Sequence, residues 1–127
     1  LLAVGETCLR DGQMTDAIKA FQLVEDTQKL LLVGDECLKR EKFESAIEVF
    51  KFLRNNEKLS LVGSLCVKHD QLILAAKAFE LAGSLENLNK VGDIFLQKEQ
   101  LNNAYEVYKI AGNQIMIQFL RENFQMI

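Results

Sequence analysis

Proline is absent from the 127 residues of the chain, and histidine occurs once. Without proline nothing forces a helix to stop or kink, which suits a chain that is helical almost throughout. Long apolar runs are missing too. None approaches the ~18 residues of a membrane-spanning helix, and no signal-peptide pattern is present, so membrane insertion is not expected. An excess of either charge is missing as well: 15 Lys and Arg against 18 Asp and Glu give a formal net charge of only -3. That balance supplies no field for nucleic acid or an anionic membrane. The densest basic stretch, Lys39, Arg40 and Lys42, is interrupted by Glu41 and followed by Glu44, the pattern of a solvated helix end. No phosphate-binding glycine loop and no serine or threonine nucleophile motif occurs. His69 lies in a polar turn beside Asp70, with no partner set for acid–base chemistry. Neither an enzyme nor a cofactor is expected.

What is present is repetition. Gly5, Gly34, Gly63 and Gly92 stand 29 residues apart, and Cys8, Cys37 and Cys66 keep the same step with Phe95 in the fourth slot. Ala17, Ala46, Ala75 and Ala104 follow, then Phe21, Phe50, Phe79 and Tyr108. A fixed period of this kind marks a stack of one supersecondary unit. The units run over 1–29, 30–58, 59–87 and 88–116, and a partial fifth begins at Ile117. Each carries two apolar stripes at helical spacing, in the second unit Leu30, Val33, Gly34 and Cys37, then Phe43, Ala46, Ile47, Phe50 and Leu53. No segment alternates with period two, so strands are not expected. Apolar residues at 49% and charged residues at 26% fit one soluble globular domain over 1–127.

Short polar turns separate the two stripes: Asp11-Gly12-Gln13, Glu41-Lys42, His69-Asp70-Gln71 and Glu99-Gln100. Between units lie Glu25-Asp26-Thr27, Asn55-Asn56, Gly83-Ser84 and Gly112-Asn113, whose Gly and Asn suit helix stops. Loops this short make neighbouring helices antiparallel. A glycine inside a helix costs ~1 kcal/mol relative to alanine, so its recurrence requires a close helix crossing. The alanine slot is its expected small counterpart, with the aromatic filling the wider gap beside the contact.

Gly34, Cys37, Ala46 and Phe50, with Val33 before the glycine, resemble the tetratricopeptide repeat slot by slot. Val91-Gly92, Phe95, Ala104, Tyr108 and Ala111 do so again. The spacing of 12 residues from glycine to alanine holds in all four units. The resemblance implies an all-α, right-handed α-solenoid of four antiparallel helix-turn-helix repeats, closed by a capping helix over about 114–127 in which Arg121 replaces the fifth glycine. The period of 29 is shorter than the family's usual ~34, and the family's proline after the second helix is missing. These departures bring the pattern nearer to the helical-hairpin solenoids of vesicle-coat and intraflagellar-transport subunits, which it resembles more loosely. Leu1 opens inside the repeat pattern, so the chain reads as a segment of a larger protein.

Cys8, Cys37 and Cys66 are odd in number and share a slot that accepts Phe95. They read as buried, reduced core thiols, not as a disulfide framework or metal site, and they suit the cytoplasm. The resemblance implies that the first helices line a concave groove that takes a peptide or helix. Helical geometry places Leu2, Glu6 and Leu9, Leu31, Asp35 and Leu38, Ser60, Ser64 and Val67, and Asn89, Asp93 and Leu96 to one side of the apolar stripe. Arg10, Lys39, Lys68 and Gln97 stand four residues beyond the Glu6, Asp35, Ser64 and Asp93 slots. One reading makes this row a groove for an apolar, partly basic protein segment. The other makes Glu6–Arg10 and Asp35–Lys39 exposed helical ion pairs and the leucines repeat-to-repeat contacts, in a purely architectural solenoid. The lysine and asparagine clamp of repeats that grip acidic chaperone tails is missing at Leu2, Glu6, Leu31 and Asp35, so no such tail is expected to bind.

Overall fold

The computed structural model describes residues 14–23 and 26–124, with side chains from 18–22 and 26–124. All regular structure among them is α-helical. Eight helices follow in order: α1 Met14–Leu23, α2 Thr27–Lys39, α3 Phe43–Leu53, α4 Asn56–Lys68, α5 Leu72–Ala82, α6 Leu85–Gln97, α7 Leu101–Ala111 and α8 Gln114–Phe124. The chain divides into two compact units, residues 1–62 and 63–127, with the boundary inside α4.

Where the first helix of a hairpin is described, it begins three residues before the repeat boundary read from the sequence: Thr27, Asn56 and Leu85 precede Leu30, Leu59 and Leu88. The apolar stripe starts only after the opening turn, which is given to capping. Asp26 Oδ1 accepts from the Lys29 amide at 3.0 Å, Asn55 Oδ1 from Lys58 at 3.1 Å and Asn113 Oδ1 from Met116 at 3.2 Å. Ser84 occupies the same slot but makes no side-chain cap; its Oγ accepts from the Asn87 side-chain amide at 2.8 Å. Gly83 and Gly112 stop helices as expected, in the left-handed region at φ 72° and 71°, whereas at the Asn55-Asn56 connection the stop falls one residue earlier, on Arg54 at φ 53°. Asp26, Asn55 and Asn113 start the next.

The turns from α2 to α8 share one backbone device. The amide after the left-handed residue donates to the carbonyl five residues back, as Asn55 does to Phe50 at 3.0 Å and Asn113 to Tyr108 at 2.9 Å. Inside the hairpins Glu41, Asp70 and Glu99 take the left-handed place, at φ 57°, 60° and 59°. Lys42, Gln71 and Gln100 then donate to Cys37, Cys66 and Phe95.

In the unit formed by residues 1–62, α2 buries Leu30, Val33, Gly34 and Cys37 against α3, which buries Phe43, Ala46, Ile47, Val49 and Phe50. Leu53, expected on this stripe, is half-buried. Ile18, Ala20 and Phe21 of α1 join them. In the unit formed by residues 63–127, α6 and α7 repeat the arrangement, with Phe95 for the cysteine and Tyr108 for the phenylalanine. Each fully buried aromatic contributes ~1.5–3 kcal/mol by leaving water, so the ring slot is a main source of hairpin stability.

The glycine slot is as crowded as its sequence period requires, but the neighbour differs from the one expected. A Cβ on Gly34 would lie 2.6 Å from Phe50 Cζ, one on Gly63 2.5 Å from Phe79 Cε1, and one on Gly92 2.7 Å from Tyr108 Cε1. The aromatic ring, not the alanine, lies flush against the glycine. The buried alanines Ala46, Ala75 and Ala104 are not among the atoms such a Cβ would meet most closely.

Helix α8 covers the preceding hairpin with Ile117 and Leu120, both buried. Phe124, one turn further along at the same helical spacing, is 46% exposed, its ring T-shaped to that of Phe119 at a centroid distance of 6.2 Å. Arg121 reaches back: its Nε and Nη2 donate to the Tyr105 hydroxyl at 3.2 and 3.0 Å, and its guanidinium lies 5.8 Å from the ring centre.

Candidate interaction surface

The first-helix row singled out by the sequence splits by burial. Leu31, Leu38, Asp35, Ser60, Val67, Asn89 and Leu96 are half-buried; Lys39, Ser64, Lys68, Asp93 and Gln97 are exposed. Leu2, Glu6, Leu9 and Arg10 lie outside the described residues, as do Gly5 and Cys8.

Two members of the row tie one first helix to the next. Lys58 Nζ, in the opening turn of α4, donates to Asp35 Oδ1 at 3.0 Å. Asp35 thus pairs with Lys58 instead of the expected Lys39, because residue 58 enters from the neighbouring helix at the level of the carboxylate. In the second unit the Asn113 side-chain amide donates to Asn89 Oδ1 at 2.9 Å, again from the cap of the following helix. Asp93 accepts from Tyr108 of its own hairpin. Asp35, Asn89 and Asp93 of the row are thus engaged within the protein.

The freely exposed slot lies one residue further round the helix. In the first unit it holds Leu32, 57% exposed, and Leu61, 43% exposed. In the second unit it holds Lys90 and Phe119, both exposed. The signal was in the sequence, since Leu32 and Leu61 keep the 29-residue step. It was masked by lying inside the run Leu30-Leu31-Leu32, which by periodicity alone offers three candidates for the core.

The described core holds no charged or polar side chain apart from tyrosine hydroxyls. Cys37 and Cys66 are buried and free. Burial pushes both thiols up, Cys66 from 9.0 to about 11, which disfavours the thiolate at neutral pH. His69 is exposed in the α4–α5 turn. Among the described residues no group of three His, Cys, Asp or Glu side chains is placed to hold a metal ion, and no helix is long and apolar enough to cross a membrane. Compared with models of protein families and with curated proteins, the sequence gives no match to either.

Proposed function

We propose that the chain is a protein-interaction module built from short tetratricopeptide-like hairpins, which binds a peptide or helix of a partner protein on the outward side of its first helices. The slot pattern of Gly34, Ala46 and Phe50, repeated at Gly63, Ala75 and Phe79 and at Gly92, Ala104 and Tyr108, supports the family reading. It carries with it a right-handed stack of four such hairpins closed by α8. The single observation behind the binding reading is the pair Leu32 and Leu61. Two large aliphatic side chains stand exposed at one slot of successive first helices, where a solvated helix would carry polar residues. The partner segment is therefore apolar where it meets this pair. A net charge of -3 argues against nucleic acid as that partner, and the two buried free thiols suit a reducing compartment such as the cytoplasm.

The test is selection of peptides from a displayed library on the intact chain, followed by Leu32→Glu with Leu61→Glu. Loss of binding with unchanged helicity and melting temperature is the expected result. Binding that survives the double change, with the fold intact, refutes the assignment.

A second reading is architectural, a spacer or coat-type segment whose surfaces serve only its own repeats. The Lys58–Asp35 and Asn113–Asn89 bonds favour it, because they spend the predicted row on contacts between first helices. A library that yields no ligand for the folded chain supports this reading over the first.

A further inference from the structure

The seam between α5 and α7 departs from the repeat at two positions of α5, three residues apart and both lining one cleft. The slot held by Ile47 in α3 and Tyr105 in α7, both buried, is reduced to Ala76 in α5. The slot held by Glu44 and Asn102 in the neighbouring hairpins becomes Ile73, which is 70% exposed. Bulk is removed and an apolar wall is added at the same place. The result is a cleft of about 240 Å³ with Ile73 and Ala76 on one side, Val107 and Ile110 on the other, and Phe95 among its lining residues. Ile110 is itself 44% exposed.

The size decides the class of occupant. Small-molecule sites run from ~300 Å³ upward and enclose most of their ligand, whereas this cleft is smaller and open along the seam. It suits one large apolar side chain. The rim decides the flanking charge. Glu80 and Glu106 line the cleft and are exposed, and neither forms a hydrogen bond or ion pair with any described residue. Lys77, also exposed and unpaired, is the one cation of the rim. Two carboxylates against one ammonium leave an acidic mouth around an apolar floor, which attracts a cation beside the apolar anchor.

We propose that this cleft holds a large apolar side chain of a partner protein's segment whose neighbouring residues are lysine or arginine. The site is separate from the first-helix surface and stands whether or not that surface binds.

Two synthetic amphipathic peptides of one pattern, leucine–lysine and leucine–glutamate, provide the probe, followed through the backbone amide resonances of the full chain. The leucine–lysine peptide is expected to shift residues 73–80 and 103–110 saturably, and to bind about tenfold or more tightly than its acidic counterpart. Glu80→Lys with Glu106→Lys should reverse that order. Ala76→Leu fills the cleft from within and should abolish binding while leaving the melting temperature equal or higher, which separates occupancy from folding. Equal binding of both peptides, shifts confined to other surfaces, or binding that survives Ala76→Leu would each overturn the proposal. So would a dimer in sedimentation that Ala76→Leu dissolves, since the occupant would then be a second copy.

Discussion

The Tyr108 hydroxyl donates to Asp93 Oδ1 at 2.5 Å, and its ring packs on Gly92, the residue before that aspartate. Backbone crowding and a polar tether thus converge on one side chain. Phe50 and Phe79 fill the same ring slot without a hydroxyl. In the first of these hairpins the equivalent Asp35 pairs instead with Lys58. The ring slot sets where hairpins close, and the acidic slot beside it is used differently from one hairpin to the next.

The same contact predicts a pH dependence. Burial first, then the hydrogen bond and negative charge of Asp93, push the Tyr108 phenol above its ordinary 10.0. The folded chain holds this proton more tightly than the unfolded chain. Its contribution is therefore complete below about pH 10 and is lost as pH rises toward the folded value. Tyr108→Phe should lose about 1 kcal/mol at pH 7 through the missing hydrogen bond. It should also flatten the fall in stability on the alkaline side, read by urea unfolding at a series of pH values. An alkaline slope identical to that of the parent would exclude a role for Tyr108.

Gly63→Ala tests the close approach in the hairpin of α4 and α5. The new Cβ would stand 2.5, 2.7 and 2.8 Å from three ring carbons of Phe79, and that ring is buried with little room to withdraw. Overpacking of this kind costs ~1–3 kcal/mol, against a gain of ~1 kcal/mol in helix propensity. A net loss of about 1 kcal/mol is expected, and a larger one for Gly63→Leu. Phe79→Leu alone is destabilising, but it should cost less in the Gly63→Ala background, giving a coupling energy between the sites. Additive changes would show that the ring and the glycine do not meet.

The repeat was readable because several kinds of constraint share one period. Gly34, Gly63 and Gly92 mark the crossing, and helical spacing marks Leu30, Val33 and Cys37 as core. What remained hidden was which atoms meet. Sequence spacing shows that Gly34 and Phe50 recur together, but not that the ring lies nearer than Ala46. The candidate row was harder still. Leu31 and Leu32 differ by one helical step, and only the packing of neighbouring helices leaves Leu32 in water and Leu31 half out of it. The α5–α7 cleft was concealed for a related reason: Ala76 reads as an ordinary small helical residue until it is set beside Ile47 and Tyr105.

Arg54 is a left-handed residue with a side chain, at φ 53°, in the slot where the following hairpins carry Gly83 and Gly112. A side chain in this conformation costs ~1–2 kcal/mol relative to glycine, partly offset by the greater freedom glycine gives the unfolded chain. Arg54→Gly should therefore stabilise by about 0.5–1 kcal/mol. Gly83→Ala and Gly112→Ala should each destabilise by about 1 kcal/mol, although the space around both Cβ positions is open. Chemical denaturation of the three variants checks the set. A stabilising alanine at either glycine would show that the left-handed turn is not maintained in solution.

Cys66 offers a reporter of the core whose own side chain is left unchanged. Its thiol is buried and free, and burial raises it from 9.0 to about 11. At pH 8 the folded-state thiolate is then about one part in a thousand, and the sulfur is also shielded from reagent. The sign of the linkage follows from the raised value: the contribution to stability is full below pH 9 and is lost as pH rises from 9 toward about 11. In a background with Cys8→Ser and Cys37→Ala, alkylation of Cys66 by iodoacetamide at pH 8 should be slower than that of a peptide thiol by about a hundredfold or more. The rate should rise with urea in step with the equilibrium population of the unfolded chain. Labelling at the rate of free cysteine, with helicity retained, would place Cys66 outside the core and break the equivalence of its slot with Phe95.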